Sequence, residues 1–317
     1  MKKQQNFAQP AVTTTYAGEF AGKYIAAALL SAKTLDNQYI TILPNVKYKS
    51  VIQSVAVDSI VNDASCNFTT SGTVALSERI LEPKELQVNL ELCKQEFVDS
   101  WEALQLGYSA FDEIPKDFND FLISYVGGKV AQATEESIWR GVTATNGQFG
   151  GIYTALSSSV VAGGDNAPVT SSVSGSITSA NVLTALDSLV NAIPNTVYGK
   201  EDVMIYVPTN VVKAYQQALS GGTAGANGWN NQMNVGEKPL NFQGIELAFC
   251  PGLAASAMVA AQKSNLFFGT GLLSDYNEVR VLDMANLDGS QNYRIIMRYT
   301  AGTQYGIGSD IAIYKNY

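Results

Sequence analysis

The chain has 317 residues, of which 46% are hydrophobic and 15% charged, and its formal net charge is −8. This length allows a sizeable core in one large domain or two small ones. The absence of histidine excludes Ser-His-Asp and Cys-His catalysis and His-based zinc sites. The sequence has no cluster of Lys and Arg of the kind that indicates a nucleic-acid-binding protein.

The three cysteines, Cys66, Cys93 and Cys250, are far apart and show no C-x-x-C spacing. We therefore expect neither a disulfide framework nor a cysteine zinc site, but reduced thiols in a cytoplasm. A surface with so few charges gives little electrostatic repulsion between copies of the chain. The composition therefore favours a protein that buries much of its surface against its own copies.

Residues 1–44 read as a polar N-terminal arm with no core of its own. Its apolar piece, residues 24–32, comes too late and is too short for a signal peptide or a membrane span, so we expect a soluble chain. Phe20, Tyr24 and Ala27 have helical spacing, which predicts a short amphipathic helix. An arm of this kind is ordered only where something holds it, and we expect a neighbouring subunit to do so.

The pattern of residues 46–92 predicts a long two-stranded β-hairpin that projects from the rest of the chain. The first strand lies in VKYKSVIQSVAV, and LQVNLELC, in which Leu86, Val88, Leu90 and Leu92 alternate with polar residues, reads as the half-buried return strand. Since an isolated hairpin is marginally stable in water, it needs another surface. The segment around Asp58–Ser77 is expected to act between subunits, with its apolar residues packed on a neighbour; among them are Ile60, Val61, Phe68 and Val74.

A long helix is predicted over residues 116–141. Gly127-Gly128 lies in its middle, which is tolerated where another backbone packs close. Glu136 and Arg140 are spaced for an ion pair. Residues 157–177, rich in Ser and Gly, read as a loop at a domain boundary.

An α/β segment and a β-rich end complete the chain. The predicted elements are the helix ITSANVLTALDSLVNAI, the buried strand DVMIYV, the helix NVVKAYQQAL, a polar loop at 220–238 that carries Trp229, and the strands IELAFC and NLFFG. In the last strand, Tyr293, Ile295, Met297 and Tyr299 face away from Arg294 and Arg298.

The apparent cofactor motifs fail on spacing. NLFFGTGLL has Ser274 where a dinucleotide loop needs its third glycine, and no room for a helix follows, so we expect a tight turn between two strands. Lys129 follows two glycines, but Ile123 and Val130 break the phosphate-loop pattern. The sequence predicts no catalytic, cofactor-binding or metal site.

The order of elements resembles the major capsid protein of tailed phages, the Hong Kong 97-type fold. LQVNLELCKQEF is similar to the strand that returns from that family's extended loop, DFNDFLISYVGGKVAQATEESIWRG to its spine helix, and VLTALDSLVNAI with DVMIYVPTNVVKAYQQAL to its axial domain. The resemblance implies an α+β fold with these regions: N-terminal arm 1–44, extended loop 45–92, peripheral domain with the spine helix 93–156, axial domain 157–274, and returning peripheral strands 275–317.

The resemblance also implies function. Copies of the chain would form the hexamers and pentamers of an icosahedral head, a virion capsid assembled in the host cytoplasm around double-stranded DNA that it contacts non-specifically. Portal, scaffold or decoration proteins would be its other partners, with no cofactor and no membrane. Phe20, Tyr24, Ile60, Val61, Phe68, Val74 and Trp229 are the candidate contacts between subunits. RIIMRYTAGTQYG has no acid where some members place a glutamate that helps form a Lys–Asn cross-link, so no cross-link is expected.

Three other functions stay open. An encapsulin-like nanocompartment would use the same fold to hold a cargo protein. An enzyme without histidine chemistry is a second alternative, opposed by the failed motifs. A secreted β-rich adhesin is the third, opposed by the late apolar segment and by the α/β segment at 178–219.

Overall fold

The structure is a computed structural model that describes residues 32–58, 61, 63, 66, 72–93, 116–162, 169–171, 176–219, 240–271, 280–284 and 289–315. Its helices are α1 Lys33–Asp36, α2 Lys116–Arg140, α3 Ile152–Ala162, α4 Val182–Asn191 and α5 Thr209–Leu219. Its strands are β1 Thr41–Leu43, β2 Ser50–Asp58, β3 Thr73–Leu81, β4 Lys84–Cys93, β5 Val169–Ser171, β6 Val203–Val207, β7 Asn241–Phe242, β8 Ile245–Phe249, β9 Met258–Gln262, β10 Leu266–Thr270, β11 Arg280–Asp283, β12 Asn292–Tyr305 and β13 Ala312–Tyr314.

A five-stranded sheet is built around the long strand β12. On one side β12 pairs with β4 from Asn292 to Ala301, and on the other it pairs first with β11 and then with β10. The edge strand β1 lies parallel to β10. The alternation predicted for β12 is confirmed, because Arg294 and Arg298 are exposed while the predicted opposite face is buried, namely Tyr293, Ile295, Met297 and Tyr299.

A second sheet has six strands in the order β5-β13-β9-β6-β8-β7. One face, with Ile205 and Leu247, packs against α4 and α5, and the other face, with Tyr206 and Val259, belongs to the core that also holds α2. β6 and β8 are parallel and α5 lies between them in the chain, as strand–helix–strand units require. The buried stripe of α4, including Leu186 and Leu189, is as predicted.

The hairpin differs from the prediction. β2 pairs with β3 over nine residues, whereas β4, predicted as the returning strand, pairs with β12 in the five-stranded sheet. Pro83 separates β3 from β4, and the chain leaves the hairpin there to enter the core. The alternation in β4 indicated a half-buried strand correctly, but not which strand it pairs with.

The C-terminal end of the predicted arm is held by its own chain. Ile40 is buried in the core cluster of α2, and Thr34 has no exposed surface. β1 then adds to the five-stranded sheet. The expectation of an arm without a core is therefore wrong for residues 33–43, and the predicted helix with Phe20 and Tyr24 lies outside the described residues.

Three local expectations are also corrected. α3 runs through residues 157–162, where a loop was predicted. Among the described residues, a Cβ on Gly127 would meet nothing within 4 Å, so no backbone in that part of the chain packs close to this glycine. Gly269 lies inside β10 rather than in a turn, and a Cβ there would come within 2.2 Å of the Leu81 side chain.

Candidate assembly surfaces

The β2–β3 hairpin presents an apolar surface that nothing in the described chain covers. Paired residues of an antiparallel ribbon share a face, and the register pairs Val51 with Ile80 and Val55 with Leu76. We call Val51, Val55, Val74, Leu76 and Ile80 the apolar hairpin face. Their exposed fractions are 51%, 59%, 65%, 76% and 48%. The exposed polar pair Gln53 and Glu78 lies on the same side, between the Val51–Ile80 and Val55–Leu76 pairs.

The opposite face of the hairpin meets the body of the chain at its base. The Arg79 guanidinium lies 4.0 Å from the ring centroid of Tyr305 and donates from Nε to the Gly306 carbonyl at 2.9 Å. Gln304 donates from Nε2 to the Ile80 carbonyl at 2.9 Å. These contacts turn the side with Arg79 inward, and the apolar hairpin face consequently points away from the subunit.

Such a surface is unusual for a chain that acts alone. Monomeric proteins rarely expose large contiguous apolar patches, and those that exist commonly mark interaction sites. A two-stranded ribbon is too thin to bury both of its faces. The apolar hairpin face therefore has the properties of a surface that another molecule covers.

The predicted contact residues fall in different places. Val61 is 88% exposed, and Val74 belongs to the apolar hairpin face. Five others lie outside the residues whose side chains the structure describes: Phe20, Tyr24, Ile60, Phe68 and Trp229. The sequence analysis missed Val51, Val55, Leu76 and Ile80. The period-two spacing of Val74, Leu76 and Ile80 in VALSERIL is the signal that could have found two of the four, Leu76 and Ile80.

One buried carboxylate was also missed. Glu135, on α2, has no exposed surface, and it accepts hydrogen bonds from the Thr34 backbone N–H at 3.0 Å and from the Thr34 hydroxyl at 2.6 Å. The Trp139 indole donates in turn to the Thr34 hydroxyl oxygen at 3.0 Å. Burial raises the pKa of Glu135, and the hydrogen bonds from Thr34 and the Gly252 backbone oppose that shift.

This cluster joins elements rather than forming a reaction centre. It fixes the start of the described chain to α2 and to the turn after β8, with its carboxylate sealed from solvent. Among the described residues, no group of three or more Cys, Asp or Glu side chains could hold a metal ion. No helix in the described part of the chain is long and apolar enough to cross a membrane.

No family model matches the chain, and no curated protein matches its sequence. Solved structures do match. The capsid of the native GTA particle aligns with a TM-score of 0.65 at 14% identity, over 97% of this chain and 95% of that one. The structure of Gordonia phage Cozz aligns with 0.57 at 10% identity, over 97% and 92%. The capsid of cyanophage P-SCSP1u aligns with 0.56 at 12% identity, over 96% and 93%.

These likenesses establish the fold. The chain has the mixed α+β fold of phage capsid proteins along nearly its whole length, which confirms the resemblance suggested by the order of its elements.

Proposed function

We propose that this chain is the major capsid protein of a tailed double-stranded DNA phage and assembles into the hexamers and pentamers of an icosahedral head. The observation that carries the proposal is the apolar hairpin face, left uncovered on a chain with a capsid fold. On a neighbouring copy this face would be buried, and obligate interfaces of that kind bury about 2,000 Å² or more.

Each region has a part in the proposed assembly. α2 serves as the spine helix of a peripheral domain, and the six-stranded sheet with α4 and α5 as the axial domain that meets its copies around five- and six-fold axes. The loop with Trp229 and the arm with Phe20 and Tyr24 would add contacts between subunits, together with Ile60, Val61, Phe68 and Val74. Weak contacts repeated in closed symmetry would then hold the shell.

The remaining partners follow from the same proposal. Portal, scaffold or decoration proteins would complete a virion capsid that is assembled in the host cytoplasm. The role is structural rather than enzymatic. The net charge of −8 suits an inner wall that contacts packaged DNA only non-specifically.

The test is a pair of matched double substitutions on β3. Val74→Asp with Leu76→Asp places two charges on the apolar hairpin face, whereas Ala75→Asp with Ser77→Asp places two charges, at the same spacing on the same strand, on exposed positions of the opposite face. Both variants should keep the wild-type circular dichroism spectrum and melting temperature, since none of the four residues is buried. Only the first should fail to form particles in light scattering and negative-stain images.

Full-size shells from Val74→Asp with Leu76→Asp would contradict the role of the hairpin face. A wild-type chain that stays monomeric at all concentrations, with or without a scaffold, would contradict the capsid function itself. Shells that enclose a protein cargo instead of DNA would favour the encapsulin-like nanocompartment.

A further inference from the structure

The base of the β2–β3 hairpin rests on residues that other elements hold in place. Tyr305, at the end of β12, is buried, and its hydroxyl is hydrogen-bonded to the Ser159 hydroxyl on α3. Asn265 accepts from the Gly306 N–H at 3.0 Å, and its side chain bonds both backbone groups of Ile307 at 2.8 Å. We call the Tyr305 ring and the Gly306 carbonyl the platform; both parts of it are fixed without help from the hairpin.

Arg79 is the charged residue of the hairpin that binds this platform. Its guanidinium lies 4.0 Å from the centroid of the Tyr305 ring, and its Nε donates to the Gly306 carbonyl at 2.9 Å. Because a guanidinium is planar, a stack on a ring together with a directed hydrogen bond fixes its orientation as well as its position. Ile52, the partner of Arg79 on β2, also lies over Gly306, so both strands meet the platform at the same level.

A second contact, closer to the core, gives β3 a direction. Leu81 lies on the same face of the strand as Arg79, and it is buried against Gly269. The next residues outward on that face, Ser77 and Ala75, are exposed. Within the described chain Arg79 is therefore the outermost contact between β3 and the body of the subunit. The six residues of β3 beyond it extend about 20 Å, so a small rotation at Arg79 displaces the end of the strand considerably.

We propose that Arg79 positions the hairpin before assembly, by holding the apolar hairpin face in the direction in which a neighbouring copy receives it. The part of this inference that concerns assembly rests on the proposed function. A surface that is already held in its bound direction loses less conformational freedom on association than a mobile one, so the same contacts give a higher affinity. Without the Arg79 side chain the hairpin keeps its strand pairing and its apolar face, but the neighbour must order it.

A second cation at the base of the hairpin provides the matched control. The Lys49 ammonium lies 3.2 Å from the Glu82 carboxylate, and their side chains are 37% and 57% exposed. Ion pairs with this exposure contribute little to structure. Lys49→Met and Arg79→Met remove the same charge from the same end of the hairpin, but only the second substitution removes the bonds to the platform.

The direction of the hairpin is measured on the unassembled full-length chain by double electron–electron resonance. Spin labels are attached at Thr73→Cys on β3 and Lys213→Cys on α5, both exposed positions, after the two accessible cysteines are replaced by serine. The chain with Arg79 and the Lys49→Met variant should give the same narrow distance distribution. Arg79→Met should broaden or shift that distribution while its circular dichroism spectrum stays unchanged.

The concentration at which particles form is the second measurement. In light scattering, Arg79→Met should need about tenfold more protein than the wild type to assemble, because the ordering of the hairpin is then subtracted from the binding free energy. Lys49→Met should assemble at the wild-type concentration. Arg79→Lys keeps the charge but lacks the planar fork and the Nε donor, and it should resemble Arg79→Met more than the wild type.

A distance distribution for Arg79→Met that is as narrow as that of the wild type, at the same distance, would overturn the positioning role. A broad distribution combined with assembly at the wild-type concentration would show that the hairpin needs no fixed direction before association, against the proposal. If the wild-type chain forms no particles at any concentration, the proposed function fails together with the assembly part of this inference. The spin-label distances would still decide whether Arg79 holds the hairpin.

Discussion

At the scale of single residues, two glycines differ in the space around them. A Cβ on Gly252 would lie 2.1 Å from the Glu135 carbonyl oxygen, whereas a Cβ on Gly127 would meet nothing within 4 Å. Gly252→Ala should therefore lower the free energy of unfolding by about 1–3 kcal/mol, because the backbone must move. Gly127→Ala lies inside α2 and should raise it by about 1 kcal/mol. Urea denaturation of the two variants checks both signs, and a stabilising Gly252→Ala would contradict the close contact of the turn with α2.

Glu135 gives the stability of the chain a specific dependence on pH. Because burial raises its pKa in the folded state, the folded chain binds a proton that the unfolded chain has lost, so stability decreases as the pH rises from the unfolded value of about 4.3 through the raised folded value. The groups around the Glu135 carboxylate are the Thr34 hydroxyl and backbone, the Gly252 backbone, the Asp36 carboxylate and the Cys250 thiol. Glu135→Gln should remove this component of the pH dependence, measured as the unfolding free energy of the variant minus that of the wild type.

The neighbouring carboxylate provides the control for that measurement. Glu136 is partly exposed and lies 3.9 Å from Arg140, so Glu136→Gln should change the unfolding free energy little over the same pH range. Identical pH profiles for Glu135→Gln and the wild type would show that the carboxylate of Glu135 is not desolvated in the folded chain.

At the scale of elements, local sequence patterns predicted which segments form helices and strands. The position of each strand in a sheet depends on long-range pairing, which those patterns do not show. The residues of α4, α5 and β12 repeat with periods that match their own geometry, and the ends of these elements were predicted within about five residues. The strand partner of β4 was not predictable in this way. Its alternating residues fit either β2 or β12 equally well, and the pairing with β12 joins residues about 200 positions apart.

The residues of the candidate surfaces likewise divide into those that local sequence patterns reveal and those that depend on long-range contacts. Val61 and Val74 were found because they are apolar in a polar segment, yet Val55 and Leu76 were missed because their shared face depends on the register of β2 with β3. The burial of Glu135 depends on Thr34, 101 residues away, and no local spacing reveals such a contact. Long-range contacts of this kind define both the hairpin face and the sealed carboxylate.

At the scale of the whole molecule, copies of the chain could be joined by non-covalent contacts at the uncovered surfaces or by covalent bonds, for which the three cysteines are candidates. Cys250 is buried and burial raises the pKa of its thiol, which disfavours the reactive thiolate. Cys66 is exposed and Cys93 is half-buried, and they lie on different elements. The strand β12, which includes most of RIIMRYTAGTQYG, contains no acidic residue that could assist a bond between lysine and asparagine.

We therefore expect assembled particles to be held by non-covalent contacts alone. Purified particles boiled in denaturant with reductant should give a single band near the chain mass of 33.9 kDa in gel electrophoresis. Omission of the reductant should give the same band if the thiols remain reduced, and dimers seen only then would indicate a disulfide between copies. A ladder of multiples that survives reductant would show a covalent bond formed without a glutamate at the expected position, and its cross-linked peptides, identified by mass spectrometry, would locate the residues that replace it.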